Sequence, residues 1–139
     1  MFALTIKQPH AFHILHSGKD VENRTWKLPE YHKNQWIALH AAKTADKTVP
    51  AVNGIDSSHY GAIIGFLKFS DCLHDSDSPW AGGSAAASRF AGHYHWVIGE
   101  AKRISQPIPC RGSLGLWRVN LELIQSVNSE IYLQPSLIA

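Results

Sequence analysis

The pattern of apolar and polar residues predicts short strands joined by loops, with one helix near the start. Leu4 to Gln8 alternates as a first strand, and Pro9 ends it. From Pro9 to Ser17 the apolar residues fall on one arc of a helix and three histidines on the opposite arc. Gly18 is expected to end this helix, because glycine readily adopts the left-handed conformation of a helix C-terminus.

A second strand follows Gly18 and carries the most distinctive side chains of the chain. At the two-residue period of a strand, one side presents a carboxylate, a guanidinium and an indole, from Glu22, Arg24 and Trp26. Lys19 lies where the chain enters this strand. Such a row is typical of a cleft that holds a flat, polar ligand. The alternative is a pair of surface charges, whose attraction contributes little in water, beside a core aromatic residue.

Four further strands are predicted, over residues 35–41, 61–69, 94–104 and 114–123. Loops fill the remainder, with a helical turn over residues 44–49 and a rigid extended connector between Pro107 and Pro109. One helix and about six strands, joined mostly by loops, predict an α+β fold. The sheet is expected to be mostly antiparallel and to curl into a small β-barrel.

An irregular stretch over residues 74–92 is long for a compact domain, and such loops are often lids or binding loops. Its Trp80 either closes over a base or sugar or fixes the loop to the body of the protein. His40, in the predicted strand 35–41, is either a cleft residue or a hydrogen-bonded core histidine, of which the second is commoner. We carry both residues forward as candidate ligand contacts.

Length and composition limit the protein classes. A chain of 139 residues with 45% hydrophobic and 17% charged residues fits one globular domain, residues 1–139, and not a disordered chain. No apolar run approaches the roughly 20 residues of a membrane span, and the N-terminus shows no signal-peptide pattern. With only two cysteines, the expected location is the reducing cytoplasm. A net charge of +2 permits a nucleic-acid partner without requiring one.

Two further features have ordinary explanations that we favour. The helix histidines, His10, His13 and His16, spread over about a third of the helix circumference and have no acidic or cysteine neighbour in sequence, so a solvated polar face is favoured over a metal site. Cys110 stands beside Arg111, which can activate a thiol, but a structural cysteine is commoner. No metal and no cofactor is expected.

Five motifs along the chain, taken together and in this order, resemble the ASCH domain family. They are Leu4-Thr5-Ile6-Lys7-Gln8-Pro9, Gly18-Lys19-x-x-Glu22-x-Arg24-x-Trp26, Ala38-Leu39-His40-Ala41, Tyr94-His95-Trp96-Val97 and Pro107-x-Pro109-Cys110-Arg111-Gly112-x-x-Gly115-Leu116-Trp117. The resemblance covers about residues 3–119. It implies a PUA-like barrel, a small fold that binds RNA, with a cleft beside the first helix lined by Lys19, Glu22 and Arg24.

The resemblance implies two kinds of function. Most ASCH domains are proposed to bind RNA or a nucleotide, and some small bacterial members hydrolyse the acetyl amide of acetylated cytidine. In those enzymes a threonine three residues after the lysine is the nucleophile, whereas this chain has Glu22 at that position. Thr25 is expected on the opposite face of the strand and is a poor substitute. A protein-interaction module without a small ligand is a third alternative.

Recognition of RNA or a modified nucleoside is the favoured interpretation. Glu22 accepts from an exocyclic amine, Trp26 or Trp80 stacks on the base, and Lys19 and Arg111 meet phosphate. Gly112 allows close backbone approach, and the remaining candidate ligand contacts are Gln8, Arg24 and His40. In the enzymatic alternative, an amidohydrolase or a ribonuclease, Glu22 is a general base towards water and Lys19 stabilises the oxyanion. A lysine nearby weakens a carboxylate as a base, which favours recognition. No obligate protein partner and no membrane contact is expected.

Overall fold

The computed structural model describes residues 1–81, 93–120, 122 and 124. These include six strands, one complete α-helix and two short 3-10 turns, and Glu122 and Ile124 are also helical. The strands are β1 (Phe2–Ile6), β2 (Val21–Arg24), β3 (Trp36–Ala41), β4 (Ala62–Leu73), β5 (Tyr94–Pro109) and β6 (Leu116–Arg118). The helix α1 is His10–His16, and the 3-10 turns are Glu30–His32 and Pro79–Ala81. The six strands and the N-terminal helix confirm the predicted count.

The strands form one curled sheet in the order β2-β5-β4-β3-β1-β6. Among the described strands, β1 and β3 pair in parallel, with Leu4 opposite Leu39, and the other four pairings are antiparallel. The parallel pair exists because α1 and β2 intervene between β1 and β3 and provide the crossover that parallel strands need. The sheet is a mixed half-barrel, which confirms the predicted α+β class and the predicted curled, mostly antiparallel sheet.

The curl of the sheet depends on tight contact between its two longest strands. The pairing of β4 with β5 shifts register three times, and such irregularities bend a strand and increase its twist. Gly65 lies at the first shift, where an added Cβ would stand 2.4 Å from the carbonyl oxygen of Lys102. A side chain at position 65 would therefore separate the strands at the point where they bend.

Side chains on the two faces of the sheet form two hydrophobic cores. One face packs Leu4, Leu39, Phe69 and Trp96 together with Ile14 of α1. The opposite face has a separate cluster that includes Ala3, Ala38, Ile63, Phe66 and Ile108. The helix α1 ends at His16, and Gly18, whose φ is +71°, turns the chain into β2 at the edge of the sheet.

Two predicted boundaries are wrong in extent. Strand β2 ends at Arg24 and does not reach Trp26. The predicted connector between Pro107 and Pro109 is the end of β5, paired with β4 through Ile63 and Ala62. Prolines are tolerated there because β2 pairs with residues 94–97 only, so the rest of β5 has one side without a strand partner among the described residues.

Two other predicted elements differ from the structure or fall partly outside it. Residues 44–49 contain no helix; Lys47 and Thr48 form a turn in which the Asp46 carboxylate accepts a hydrogen bond from the Thr48 backbone N–H at 2.9 Å. The predicted loop 74–92 is described only to residue 81 and from residue 93, so its role as a lid lies outside the described residues. Of the strand predicted over residues 114–123, the described residues show β6 alone, and Glu122 is helical. Residues from 125 onward lie outside the described residues. No helix in the described ranges has the length and apolar character needed to cross a membrane.

Candidate functional site

A cleft of about 890 Å³ opens beside α1, at the ends of β1 and β2. Four parts of the chain supply its walls: the end of β1, the polar side of α1, residues 19–26, and the 3-10 turn that carries Trp80. Residues 43–60, which we call the cleft wall, close the remaining side with Asp46, Val49, Pro50 and Val52. The cleft therefore lies where the sequence motif Gly18 to Trp26 predicted one.

The Glu22 carboxylate is fixed at one oxygen and available at the other. Arg24 donates to Glu22 Oε2 from Nη2 at 2.8 Å and from Nε at 3.1 Å, and its Nη2 also donates to the Thr5 carbonyl at 3.1 Å. Glu22 is only 8% exposed, yet within the described residues its Oε1 accepts no hydrogen bond. Arg24 thus orients the carboxylate and leaves Oε1 as an acceptor for a ligand in the cleft.

Lys19 brings a positive charge into the same cleft. Its backbone N–H caps α1 by donating to the His13 carbonyl at 3.1 Å, and the residue is 6% exposed. Burial lowers the pKa of Lys19, while the carboxylates of Glu22 and Asp20 oppose that shift. Across the described residues no acidic oxygen lies within 4.0 Å of its Nζ, which instead stands 5.5 Å from the centre of the Trp80 ring. An anionic or electron-rich ligand would compensate this charge.

Trp80 is held over the cleft by hydrogen bonds from β2 and from its own turn. Asn23 Nδ2 donates to the Trp80 carbonyl at 3.1 Å, and the Trp80 N–H donates to Ser78 Oγ at 3.1 Å. Asn23 is itself fixed, since His95 Nδ1 donates to its Oδ1 at 2.6 Å. The Trp80 ring lies 5.1 Å from the His13 ring, at a tilt of 41°. The indole is therefore positioned to line the cleft rather than to fill the core.

The comparisons with known proteins support one fold. The sequence matches no protein-family model and no curated protein sequence. Among solved structures it is similar to a protein titled ASCH from Zymomonas mobilis, with a TM-score of 0.54 at 16% identity, covering 91% of this chain and 94% of that one. Two single-residue mutants of that protein align with TM-scores of 0.53 at 15% identity, each covering 91% of this chain. This chain has the ASCH-domain fold.

The ASCH fold brings five of the nine predicted site residues together. Lys19, Glu22, Arg24, Trp26 and Trp80 all line the cleft. Trp26 is also part of the scaffold, because its ring packs edge-on against Trp96, with ring centres 4.6 Å apart. The other four, Gln8, His40, Arg111 and Gly112, are not among the residues that line it.

Gln8 is an anchor for the cleft wall. Its Nε2 donates to the Asp56 carbonyl at 2.7 Å and to the His59 carbonyl at 3.1 Å, and its Oε1 accepts from the Phe12 N–H at 2.9 Å. The residue is 1% exposed. The side-chain amide therefore holds together α1 and the wall, and it reaches the cleft only through the segment it supports.

His40 belongs to a separate buried cluster in which each polar hydrogen has an acceptor. Its Nε2 lies 2.8 Å from the Cys110 carbonyl and must donate, which leaves Nδ1 to accept from Thr5 Oγ1 at 3.1 Å. Trp117 Nε1 donates to the same hydroxyl at 3.0 Å. Burial lowers the pKa of His40 against the opposing effect of the Cys110 carbonyl, in keeping with a neutral ring. His40 is thus the hydrogen-bonded core histidine of the two alternatives.

Gly112 packs against the same cluster, and Arg111 precedes it in the sequence. A Cβ on Gly112 would stand 2.7 Å from both Thr5 Oγ1 and His40 Cε1, so the glycine lets the chain pass close over this pair. Arg111 is exposed, and the neighbouring Cys110 has a pKa raised by burial, which keeps its sulfur a thiol. The close approach predicted at Gly112 is made to the protein's own side chains.

The prediction of a solvated polar face for the three helix histidines is corrected. His10 Nε2 and His16 Nε2 each lie 2.7 Å from a carboxylate oxygen of the cleft wall, on Asp46 and Asp56. His13 is directed to the cleft beside Trp80. Within the described residues no group of three or more histidine, cysteine, aspartate or glutamate side chains is arranged to hold a metal ion.

Sequence reasoning missed several cleft residues. Thr25, expected on the opposite face, lines the cleft because β2 ends at Arg24 and the strand alternation stops there. Asn23 lines it and also fixes Trp80, which no sequence pattern indicates. The wall residues Val49 and Pro50 lie in a stretch without periodicity, so their part in the cleft depends on tertiary contacts alone.

Proposed function

We propose that this protein binds RNA, or a free or modified nucleotide or nucleoside, in the cleft lined by Lys19, Glu22 and Arg24. The observation that carries the proposal is the Glu22 carboxylate in this cleft. Its Oε2 accepts hydrogen bonds from Arg24, its Oε1 is available to a ligand, and Trp80 lines the same cleft. A buried carboxylate with one unused oxygen suits a ligand that donates a hydrogen bond.

The arrangement matches the chemistry of a nucleobase. The exocyclic amine of cytosine or adenine donates to a carboxylate, as Glu22 Oε1 requires. In this proposal the flat base stacks on the Trp80 indole, and such stacking is worth about 1–3 kcal/mol per base. Lys19 contributes positive charge to the same cleft, where a phosphate or the electron-rich edge of a base would meet it.

Partner and location follow from the same proposal. RNA or a small nucleoside ligand is the partner, and no protein partner or membrane is needed for the site. A cytoplasmic location is supported by Cys72 and Cys110, which are both free cysteines.

A second candidate is a hydrolase that uses the same cleft, an amidohydrolase on acetylated cytidine or a ribonuclease. The observation that favours it is the burial of Lys19, which lowers the pKa of its amine beside Glu22. Lysines perturbed in this way are common at reactive sites. In this candidate Glu22 activates water and Lys19 stabilises the developing oxyanion, without a covalent threonine. Chromatography tests this second candidate by monitoring loss of the acetyl group, or of intact RNA, with wild type and with Lys19→Ala.

The binding experiment is a fluorescence titration with a short single-stranded RNA at two salt concentrations. Lys19→Ala should weaken binding and reduce the salt dependence, since one cation fewer meets phosphate. The matched control is Lys27→Ala, an exposed lysine outside the cleft lining, which should leave affinity unchanged. RNA affinity that is equal in Lys19→Ala, Glu22→Gln and wild type would remove this cleft from the function.

A further inference from the structure

A second cavity of about 320 Å³ adjoins the main cleft at the cleft wall. Asp46, Val49 and Val52 line both cavities, so these three residues of the wall form the boundary between them. Pro9, just before α1, also lines the second cavity. Its volume lies within the range of about 300–1,000 Å³ that is typical of small-molecule sites. A ligand in the main cleft that extends past the shared residues would therefore enter the second cavity.

Hydrogen bonds to Gln8 hold the second cavity in shape. The Gln8 side chain lines this cavity, and its Nε2 donates to the carbonyls of Asp56 and His59 at 2.7 and 3.1 Å. Its backbone carbonyl accepts from the Asp46 N–H at 2.7 Å. One residue thus binds two separate parts of the wall segment that surrounds the cavity. Because these bonds are internal to the protein, a ligand would enter a cavity that is already formed.

Tyr60 presents an aromatic ring at this cavity. It follows His59, whose carbonyl is bonded to Gln8, and precedes Gly61, whose N–H donates to the Ala41 carbonyl at 2.9 Å. The backbone is thus held on both sides of Tyr60, while the residue itself is 45% exposed. Among the described residues its ring packs against no other aromatic ring, and its hydroxyl makes no hydrogen bond. A fixed and accessible ring of this kind is a surface on which a base can stack.

Lys47 supplies a cation to the same cavity. The turn that carries it is fixed, because the Asp46 carboxylate accepts from the Thr48 N–H at 2.9 Å and from the Thr48 hydroxyl at 2.6 Å. Among the described residues no acidic oxygen lies within 4.0 Å of Lys47 Nζ, whereas Lys33 Nζ lies 2.9 Å from Glu30 Oε1. The charge of Lys47 is therefore available to an anionic group of a ligand.

The Asp46 carboxylate limits which part of a ligand can cross from one cavity to the other. Hydrogen bonds from Thr48 and His10 hold the pKa of Asp46 well below its usual range, so the carboxylate is ionised and repels phosphate. Within the described residues its Oδ2 accepts one hydrogen bond, from His10 Nε2 at 2.7 Å. Since a carboxylate oxygen can accept two, a sugar hydroxyl suits this point better than a phosphate group.

We propose that the second cavity is a subsite for a neighbouring nucleotide, so that the protein binds two adjacent nucleotides of one strand. The base beside Glu22 stacks on Trp80, the next base stacks on Tyr60, and Lys47 meets a phosphate group. Each cavity has an aromatic ring and a lysine beside apolar residues of the wall, which is the composition that a nucleotide requires. The subsite rests on the function proposed above, because it is defined by a nucleotide in the main cleft.

The test compares two probes, cytidine 5′-monophosphate and the ribodinucleotide pCpC, by isothermal titration calorimetry on the whole protein. Because the two nucleotides of pCpC are identical, either can occupy the main cleft, and no strand direction has to be assumed. Wild type should bind pCpC about tenfold more tightly than the mononucleotide, which is the gain expected from one further stacked base. Tyr60→Ala should remove this gain and leave the affinity for the mononucleotide unchanged, while Tyr60→Phe should keep the gain.

Matched controls separate the subsite from general surface effects. Lys47→Ala should lower the affinity for pCpC and its salt dependence, since one cation fewer meets phosphate. Lys43→Ala, at an exposed lysine of the wall outside both cavities, should keep the affinity of wild type. Tyr31→Ala, at an exposed ring outside both cavities, should keep the gain from the second nucleotide.

The outcomes distinguish the subsite from the function on which it rests. Equal affinity of wild type for the two probes, or a gain that survives in Tyr60→Ala, would overturn the subsite and leave the main cleft as a binding site. If wild type binds neither probe, the proposed nucleotide-binding function fails together with the subsite.

Discussion

Two polar clusters meet at Thr5, and they differ in whether their hydrogen bonds are complete. On one side, the Thr5 hydroxyl, His40 and the Trp117 indole form a chain that ends at the Cys110 carbonyl, and each polar hydrogen has an acceptor. On the other side, the Thr5 carbonyl accepts from Arg24, which holds one oxygen of Glu22. Within the described residues the second oxygen of Glu22 accepts no hydrogen bond.

The difference separates structural polar residues from candidate binding residues. Burying a polar group without a partner costs free energy, so proteins complete nearly all such bonds. The His40 cluster obeys this rule and stabilises the fold. Glu22 and Lys19 leave capacity unused at the margin of a cleft, where a ligand can complete it. Changes in the first cluster should therefore alter stability, and changes in the second should alter binding.

The largest effect on stability is expected from adding a methyl group next to the His40 cluster, whose hydrogen bonds are complete. Gly112→Ala places a methyl group 2.7 Å from both Thr5 Oγ1 and His40 Cε1, and should lower the free energy of unfolding by about 1–3 kcal/mol. Urea unfolding measures it, with the exposed neighbour Ser113→Ala as the control. Equal stability in the two variants would show that the close approach over His40 is not a constraint.

The next effect concerns Trp80, the aromatic residue that lines the cleft beside Glu22 and Lys19. Trp80→Ala should weaken binding of a short single-stranded RNA about tenfold or more, since base stacking is worth about 1–3 kcal/mol. The unfolding free energy should change little, because the indole is only partly buried. Tyr31→Ala removes an aromatic ring that is 75% exposed and outside the cleft lining, and it should bind as wild type does.

The base preference of the cleft tests the role of Glu22 in binding. Wild type should prefer bases with an exocyclic amine, cytosine over uracil, by about tenfold, because Glu22 Oε1 accepts from that amine. Glu22→Gln should reduce this preference, while Glu30→Gln, at a residue paired with Lys33 outside the cleft, should preserve it. Competition titrations with matched oligonucleotides measure the ratio. An unchanged preference in Glu22→Gln would assign base selectivity to another residue.

The smallest effect is the pH dependence of stability that His40 contributes. Burial lowers the folded-state pKa of His40, so below the unfolded value of about 6.5 the unfolded chain binds the proton more readily. The contribution of this neutral histidine is present above that pH and is lost as the pH falls towards the folded-state pKa. His40→Gln should therefore flatten the slope of unfolding free energy between about pH 7 and 5. An identical slope in both proteins would mean that His40 does not titrate differently on folding.

The sequence predicted the parts of this protein that depend on local patterns. Strand alternation and the Gly18 turn predicted β1, α1 and β2, and the charged row at Lys19, Glu22 and Arg24 was correctly placed in a cleft. The motif resemblance predicted the ASCH fold, which the structural neighbours confirm. These features are readable because each depends on residues a few positions apart.

The remainder depends on contacts between distant segments. The sequence left His40 open between a cleft residue and a core histidine, because its partners Thr5 and Cys110 are 35 and 70 residues away in sequence. The alternation rule failed at Thr25 because the end of β2 is set by its pairing with β5, which stops opposite Tyr94. The pairing of His10 and His16 with the cleft wall involves separations of 36 and 40 residues. No local pattern encodes such distances.

The most direct test follows the indole N–H signals of the five tryptophans by NMR during titration with a short single-stranded RNA. If the ligand binds beside Glu22, the signals of Trp80 and Trp26, which line the cleft, should shift. The signals of Trp117, whose indole donates to Thr5, and of Trp96, whose indole donates to the Trp26 carbonyl, should shift least. Shifts concentrated at Trp117, with Trp80 unmoved, would place the ligand at the His40 cluster and contradict the account.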